Sequence, residues 1–208
     1  MIEKSHQNEQ DMPVGYPTET IESVTLRDGT PVNIRPIRPD DAPRLQAGFA
    51  RLSPQSIYLR FLQTFRELSD KQAREFATVD YLNRMALVAS IPGEGDERLI
   101  GVARYSMVAP ANPGGLTQPV APAEPGLAEG AIVVGDEFHN RGLGTILLDR
   151  LVKYARAHGV TAFLATVHLT NSQIMRFIQR SGFPYEKKMI EPGIWEVRVR
   201  LEDDHPES

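Results

Sequence analysis

The sequence contains no cysteine, and this absence excludes several kinds of site at once. Disulfide bonds, thiolate metal ligands and a cysteine nucleophile all require that residue. Long hydrophobic runs are also absent, since no segment approaches the roughly 20 apolar residues of a membrane-spanning helix. Residues 1–17 contain no apolar signal core. We therefore expect a cytoplasmic protein with no membrane partner.

An excess of basic residues is absent as well. The 23 lysine and arginine residues stand against 27 acidic ones, giving a formal net charge of −4 and a pI near 5.8. Proteins that bind nucleic acid irrespective of its sequence carry a basic stripe, so we expect no nucleic-acid partner. The five histidines show no metal-ligand spacing to one another, and we expect no metal.

Composition divides the chain into one domain with two tails. Hydrophobic residues make up 41% of the 208 residues, which is typical of a globular core. Residues 1–19 are polar and aperiodic, and we expect a disordered N-terminal tail there. The domain covers residues 20–201, and an acidic C-terminal tail covers residues 202–208. Within the domain, residues 109–126 are rich in proline, glycine and alanine, which predicts an inserted, mobile loop.

Periodicity and turn residues predict a mixture of strands and helices. Strands are expected over residues 24–27, 31–37, 85–89, 99–105, 131–134, 163–167, 185–189 and 194–201. Helices are expected over residues 41–51, from 54 onwards, over 70–78 and 143–156, and from 171 onwards. The helix over 143–156 is the best defined, with Leu143, Leu147 and Leu151 on one face. If it is a right-handed crossover, the strands on either side of it run parallel.

A glycine-rich loop between a strand and this helix is the most informative motif. Residues 139–145 read His-Asn-Arg-Gly-Leu-Gly-Thr. The first N–H groups of a helix have no internal partners, and the helix dipole favours an anion beside them. The glycines allow the backbone to approach a phosphate closely. The loop lacks the lysine of a Walker loop and the third glycine of a dinucleotide fingerprint.

Several separated motifs together resemble the GNAT superfamily of N-acetyltransferases. The loop is similar to the family pattern Gln/Arg-x-x-Gly-x-Gly/Ala, with His139 at the first position. Asn171 and the Ser-Gly-Phe of residues 181–183 add to the likeness. The segment TLRDGTPVNIRPIRPDDAPRLQAGFARLSPQSIYLRF resembles, more narrowly, the acetyltransferase domain of Pat-type bacterial protein lysine acetyltransferases. The resemblance covers about residues 22–200.

The resemblance implies both a fold and a cosubstrate. The implied fold is of the α/β (α+β) class, with a mixed, mostly antiparallel central sheet, one parallel splayed pair of strands and flanking helices. The implied cosubstrate is acetyl-CoA. Its pyrophosphate would be held by the loop amides, and its pantetheine arm would face the strand before the loop. The residues that the resemblance assigns to cofactor binding are Ile132, Val133, Val134, His139, Asn140, Arg141, Gly142, Leu143, Gly144, Thr145 and Asn171.

Glu129 is the candidate catalytic base. It starts an otherwise apolar strand, where an unpaired carboxylate is costly. A carboxylate with a raised pKa can take the proton from an attacking amine, directly or through a water molecule. The resemblance implies a glutamate with this role on this strand. The alternative is an edge glutamate paired with an arginine.

No general acid can be assigned from the resemblance. Many members of the superfamily have a tyrosine seven residues after the asparagine, and Ile178 occupies that position here. Candidate substitutes are Tyr58, Tyr81 and Tyr105. The reaction can proceed without an acid, because a thiolate is a tolerable leaving group near neutral pH.

These residues predict acetyl transfer to a primary amine by direct attack in a ternary complex, since no covalent nucleophile is evident. The resemblance implies a lysine side chain of a protein as acceptor, with an acyl-CoA synthetase as one candidate partner. Two alternatives stay open, a small-molecule amine acetyltransferase and a non-catalytic coenzyme A-binding regulatory subunit. The oligomeric state, monomer or homodimer, also stays open.

Overall fold

Eight strands form a single sheet in the computed structural model, which describes residues 12–93, 95–108 and 124–201. The strands are β1 Glu22–Thr25, β2 Pro31–Pro36, β3 Arg84–Pro92, β4 Glu97–Met107, β5 Leu127–Val134, β6 Ala162–His168, β7 Tyr185–Glu191 and β8 Ile194–Arg200. The helices are α1 Ala42–Phe49, α2 Pro54–Phe61, α3 Asp70–Ala77, α4 Leu143–Ala157 and α5 Ser172–Arg180. Among the described residues, no helix is long and apolar enough to cross a membrane.

The strand order is β1-β2-β3-β4-β5-β6-β8-β7, and only β5 and β6 pair in parallel. Helix α4 connects these two strands and packs on one face of the sheet, where Leu143 and Leu147 lie against Gly101 of β4. The next residue, Val102, faces the other side, where Phe49 of α1 and Phe61 of α2 pack. This arrangement confirms the predicted mixed sheet with flanking helices.

The helix starts follow the capping residues that the sequence offers. Ser53 accepts a hydrogen bond from the N–H of Ser56 at 3.2 Å and precedes Pro54, the first residue of α2. Ser69 and Gln72 form a capping box at the start of α3. These local signals explain why the predicted and observed starts of both helices coincide.

The prediction of a disordered tail over residues 1–19 was wrong for residues 12–19. Tyr16 is only 9% exposed, and its hydroxyl donates to the carbonyl of Pro36 at 3.0 Å. Its ring meets Tyr81 edge-on, with centroids 5.5 Å apart. A single aromatic anchor can hold a polar segment in place, and average composition does not reveal it. Residues 1–11 and 202–208 lie outside the described residues.

Strand β5 begins four residues earlier than predicted. The sequence did not indicate this earlier start, because the composition of the preceding residues 109–126 favours turns. Residues 109–123 lie outside the described residues, whereas Gly126 has a φ of +80° and its carbonyl accepts from the N–H of Thr161 at 2.8 Å. This bond fixes the end of the segment to the strand that follows α4. Glu129 consequently lies inside β5 and not at its first position.

A buried ion network joins the start of α1 to β2 and β4. Arg35 donates to both carboxylate oxygens of Asp41 at 2.7 Å and to Glu97 at 2.6 Å. Burial acts to raise the pKa of Asp41, but the hydrogen bonds and charge of Arg35 outweigh it and hold that pKa below 3.8. The bidentate geometry fixes the angle at which α1 leaves the sheet.

Candidate active site

Strands β5 and β6 separate partway along their length. They pair only over Leu127–Glu129 of β5 and Ala162–Leu164 of β6. Beyond this point β5 stays paired with β4 as far as Val134, and β6 stays paired with β8 as far as His168. The two strands therefore diverge after Glu129 and leave a gap between them. This gap confirms the predicted splayed parallel pair.

The ladder between β4 and β5 determines which backbone groups face the gap. At its two ends, the carbonyl of Leu127 and the N–H of Gly135 bond to the β4 side at 3.0 and 2.8 Å. Hydrogen-bonded pairs alternate in an antiparallel ladder, so Val133 also directs its backbone groups to β4. Ile132 and Val134 direct theirs into the gap. The backbone groups of Ile132 and the N–H of Val134 can therefore bond to an extended amide-containing chain such as pantetheine.

The glycine loop turns sharply before α4. Asn140 and Gly142 have left-handed backbone angles, with φ of 61° and 92°. A Cβ atom on Gly142 would lie 3.3 Å from Nε of Arg27, so space as well as backbone angle favours glycine. Helix α4 begins without a side-chain cap. The backbone N–H groups of its first three residues have no hydrogen-bond partner in the described part of the chain; these residues are Leu143, Gly144 and Thr145. These free donors fit a pyrophosphate group.

The side chain of His139 is engaged within the protein. Its Nε2 lies 2.9 Å from the carbonyl oxygen of Val134. Because a carbonyl only accepts, Nε2 carries the proton and donates. This bond ties the loop to the end of β5. The irregular first position of the loop motif thus has a positioning role that its sequence did not reveal.

The two arginines at the loop differ in their partners. Arg141, which the resemblance assigns to cofactor binding, is ion-paired with Asp28 in the β1–β2 turn at 2.6 Å. Arg27 was not singled out from the sequence, yet its side chain lies against Gly142. No carboxylate lies within 4.0 Å of Arg27 among the described residues. The N–H of Arg27 also donates to the carbonyl of Arg141 at 3.2 Å, which anchors the loop to the hairpin.

A cavity of about 440 Å³ occupies the gap between β5 and β6. Its walls come from the end of α2, from β5, α4 and β6, and from α5. Asn171 lines it and also caps α5, accepting from the N–H of Ile174 at 3.3 Å. Capping of α5 by Asn171 is therefore compatible with the cofactor-binding role that the resemblance assigns to it. Ile178 lines the same cavity with an apolar side chain.

Glu129 stands at the last paired position before the strands part. Its side chain is exposed and lines the cavity, on the sheet face that α2 covers. The expectation of a costly buried carboxylate does not hold, because water reaches the group. The alternative of an arginine pair is also not seen, since no basic nitrogen of the described residues lies within 4.0 Å of its carboxylate. Glu129 is thus free to act on a bound molecule.

Two further charged side chains, missed in the sequence, lie near Glu129. Arg60 of α2 lines the same cavity, and Arg104 of β4 lines an adjoining cavity that Arg60 also lines. Burial lowers the pKa of Arg60, and the negative charge of Glu129 opposes that change. Only tertiary packing brings α2 and β4 together here, so no local pattern indicates this cluster.

Asp136 fixes α2 relative to the glycine loop. Its carboxylate accepts from the N–H and hydroxyl of Ser53, both at 2.8 Å, and from the hydroxyl of Ser56 at 2.7 Å. Burial acts to raise the pKa of Asp136, but these hydrogen bonds outweigh it and lower that pKa. Asp136 lies just after β5, and these bonds let it position the helix that carries Arg60.

The candidate general acids differ in availability. Tyr81 donates to the carbonyl of Ile37 at 2.8 Å, and burial raises the pKa of Tyr81 to about 12. Tyr105 donates to the carbonyl of Leu82 at 3.1 Å. Both hydroxyls are therefore committed to the fold. Tyr58 is partly exposed on α2, beside the ring of His168 at a centroid distance of 5.3 Å.

Comparisons with known proteins agree with this geometry. The model of the GNAT acetyltransferase family matches residues 55–183. An acetyltransferase of Pseudomonas aeruginosa is 32% identical over 135 residues, which are 65% of this chain and 65% of that protein. The acetyltransferase Pat of Mycolicibacterium smegmatis is 26% identical over 187 residues, 88% of this chain and 50% of that protein. The chain thus spans less than two thirds of the length of either relative.

Solved structures extend the likeness. The GNAT domain of S. lividans Pat superposes with a TM-score of 0.75 at 31% identity, covering 89% of this chain and 99% of that domain. The cAMP-binding acyltransferase of Mycobacterium smegmatis shares the fold, with a TM-score of 0.54 at 22% identity over 89% of this chain and 49% of that protein. The splayed strands and the uncapped helix after the glycine loop are the features that suit the acetyl-CoA used by the family. The chain belongs to the GNAT acetyltransferase family.

Proposed function

We propose that this enzyme transfers the acetyl group of acetyl-CoA to the side-chain amine of a protein lysine. The observation that carries the proposal is the position of Glu129. It stands where β5 and β6 part, exposed, and without a basic partner within 4.0 Å among the described residues. A carboxylate at this point can meet an amine that approaches a thioester lying in the gap.

The backbone and the loop would position the donor. Free amides at the start of α4 would bind the pyrophosphate, and Arg27 would add a cation beside them. The N–H of Val134 faces the gap and would donate to the thioester carbonyl as negative charge develops on its oxygen. Asn171 lines the opposite wall of the cavity.

Glu129 would prepare the acceptor. A lysine amine has an ordinary pKa of about 10.4 and is protonated at neutral pH. It must lose that proton before its nitrogen can attack the carbonyl carbon. Glu129 would accept the proton, directly or through a water molecule, and the thiolate of coenzyme A would then leave. The acetyl group passes directly to the amine, so the mechanism requires no covalent intermediate with a protein side chain.

The exposure of Glu129 supports a macromolecular acceptor. A lysine on a folded protein can reach the carboxylate only through an open groove, whereas a small amine is better held in a closed pocket. Similarity to the acetyltransferase Pat and to the GNAT domain of S. lividans Pat also supports a protein substrate. An acyl-CoA synthetase is one candidate for that protein.

The test compares Glu129→Gln with the wild type. Thiol release from acetyl-CoA should fall by roughly 10²- to 10⁴-fold, because a general base contributes about that much. The dissociation constant of acetyl-CoA, measured by calorimetry, should change less than about twofold, since the loop is untouched. Glu191→Gln, in the exposed β7–β8 turn, is the matched control and should leave both values unchanged.

Acceptors should be supplied as a protein-lysine panel beside a small-amine panel, with mass spectrometry of the products. Acetylation confined to small amines would replace the protein-lysine proposal by the small-molecule alternative. Binding of acetyl-CoA with no acetylation of any acceptor would favour a regulatory subunit.

A further inference from the structure

Arg60 and Arg104 form a pair of cations that the protein itself does not neutralise by contact. Both line the cavity under α1 and α2, and Arg60 also lines the gap that holds Glu129. No carboxylate lies within 4.0 Å of either guanidinium among the described residues. Glu129 is the acid whose charge acts on both of them.

An aromatic stack supports the two guanidiniums. Phe61 and Phe76 stack with ring centroids 6.2 Å apart. The Cζ of Arg60 lies 4.6 Å from the centre of Phe61, and that of Arg104 lies 4.8 Å from the centre of Phe76. Aromatic faces hold cations without saturating their N–H donors. The donors of both arginines therefore stay available to a ligand.

Two other arginines nearby are neutralised by the protein, whereas the exposed Arg51, which lines the same cavity, has no carboxylate within 4.0 Å among the described residues. Arg98 lines the same cavity as Arg104, yet it is paired with Glu137 at 2.6 Å. Arg84, whose charge also acts on Arg104, lies 3.9 Å from Asp80. Arg60 and Arg104 thus differ from Arg98 and Arg84 in having no carboxylate partner among the described residues.

Their arrangement is electrostatically unfavourable in the free protein. Burial, together with the positive charges of Arg60 and Arg84, lowers the pKa of Arg104 to about 10. Burial also lowers the pKa of Arg60. An anion bound between the two guanidiniums would relieve both effects.

The reacting amine alone does not supply that anion. Arg60 and Arg104 carry two positive charges and Glu129 one negative charge, so these three groups together have one positive charge in excess. A lysine that arrives beside them as a cation is favoured when its surroundings bring negative charge. We propose that Arg60 and Arg104 bind a carboxylate of the acceptor, so that the enzyme selects amines with a carboxylate close by. This inference rests on the proposed acetyl transfer.

A carboxylate suits this site in shape as well as charge. Guanidinium groups bind carboxylates through two parallel N–H donors. In a protein acceptor, the carboxylate is an aspartate or glutamate beside the target lysine. In a small acceptor, it is the carboxylate of an amino acid. The chemistry is the same, and the experiment separates the two sources.

The first arm uses peptides that contain one lysine. Separate peptides carry glutamate or glutamine at each of the two positions before and the two positions after that lysine. The wild type should acetylate the best glutamate peptide with a kcat/KM about 10-fold above that of its glutamine counterpart, as expected for one charged hydrogen-bonded contact. The second arm compares Nα-acetyl-lysine, which has a free carboxylate, with its amide. A preference in the second arm alone assigns the site to small acceptors.

Variants connect the preference to the two arginines. Arg60→Gln and Arg104→Gln should each reduce the glutamate preference to less than about twofold, mainly by raising KM for the glutamate peptide. Arg66→Gln is the matched control, because Arg66 is exposed after α2 and lines neither cavity. It should keep the full preference.

Binding measurements separate this inference from the proposed function. The same peptides are titrated into the enzyme with coenzyme A, which has no acetyl group to give. The carboxylate site is supported if the wild type binds glutamate peptides more tightly than glutamine peptides and Arg60→Gln abolishes this difference. That result would hold even if turnover is absent and acetyl transfer fails. Equal binding and equal turnover of both peptide series, together with equal use of Nα-acetyl-lysine and its amide, would overturn the carboxylate site and leave acetyl transfer intact.

Discussion

His139 donates a hydrogen bond to the carbonyl oxygen of Val134 at 2.9 Å and so joins the glycine loop to the strand that faces the gap. The loop therefore does not rely on its glycines alone for its position. The departure from the family pattern at this residue keeps an N–H donor, which a glutamine side chain also offers. His139, at the first position of the motif, thus holds the glycine loop in place against β5.

Replacing His139 tests this positioning role. His139→Leu should lower the free energy of unfolding by about 1 kcal/mol, because it leaves a half-buried carbonyl without a donor. It should also weaken acetyl-CoA binding several-fold, while His139→Gln stays within about twofold of the wild type. Urea unfolding and calorimetry give the two values. Equal affinity of both variants would contradict a positioning role.

The positive φ of Gly142 predicts a specific effect of adding a methyl group. Gly142→Ala should lower stability by about 1 kcal/mol and weaken acetyl-CoA binding by at least about 10-fold, since the new Cβ also crowds Arg27. Gly159→Ala is the control, because its φ is +79° but no atom lies within 4 Å of the new Cβ. It should show a similar loss of stability with unchanged affinity. Thermal unfolding and calorimetry distinguish the two.

The Arg35–Asp41 pair predicts a pH dependence of stability. Because the pKa of Asp41 is lower in the folded protein than in the unfolded chain, its contribution is fully present above about pH 4. It is lost as the pH falls through the folded-state pKa. Asp41→Asn should cost about 3 kcal/mol at pH 7, because it leaves Arg35 buried with less compensation. Urea unfolding should show this difference shrinking below pH 4, and a constant difference would refute the assignment.

The hydrogen bonds of Asp136 predict an effect on the binding of the lysine substrate rather than on the binding of acetyl-CoA. Asp136→Ala removes the bonds that hold Ser53 and Ser56, so α2 and Arg60 lose their fixed position. The KM for a lysine acceptor should rise about 10-fold, with the dissociation constant of acetyl-CoA changed less than about threefold. Glu191→Gln, at the exposed end of β7, is the control and should leave the acceptor KM within about twofold.

Local signals in the sequence account for the elements that were predicted well. The leucines of α4 repeat at the spacing of one helix face, and Leu143, Leu147 and Leu151 are all fully buried. Serine before proline specifies the start of α2. Such signals need only neighbouring residues, so periodicity and capping rules are enough to locate these helices. The parallel pair followed from the handedness of crossover connections.

Features that depend on distant residues were missed. Arg60 and Arg104 belong to different elements: the pairing of β4 with β5 brings Arg104 near Glu129, and the packing of α2 on the sheet brings Arg60 there. The early start of β5 was hidden because turn-rich composition precedes it. The exposure of Glu129 could not be inferred from its apolar neighbours, since alternate residues of a strand face opposite sides. Burial and charge pairing are properties of the assembled fold.

The sheet consists of two half-sheets that share only a short seam. Strands β1 to β5 form one half and β6, β8 and β7 the other, and the seam is the pairing of Leu127–Glu129 with Ala162–Leu164. A molecule that fills the gap would lie between the two halves, in the place of a missing strand. The cosubstrate would then be part of the folding unit, and the C-terminal half should resist unfolding and proteolysis most strongly when the gap is filled.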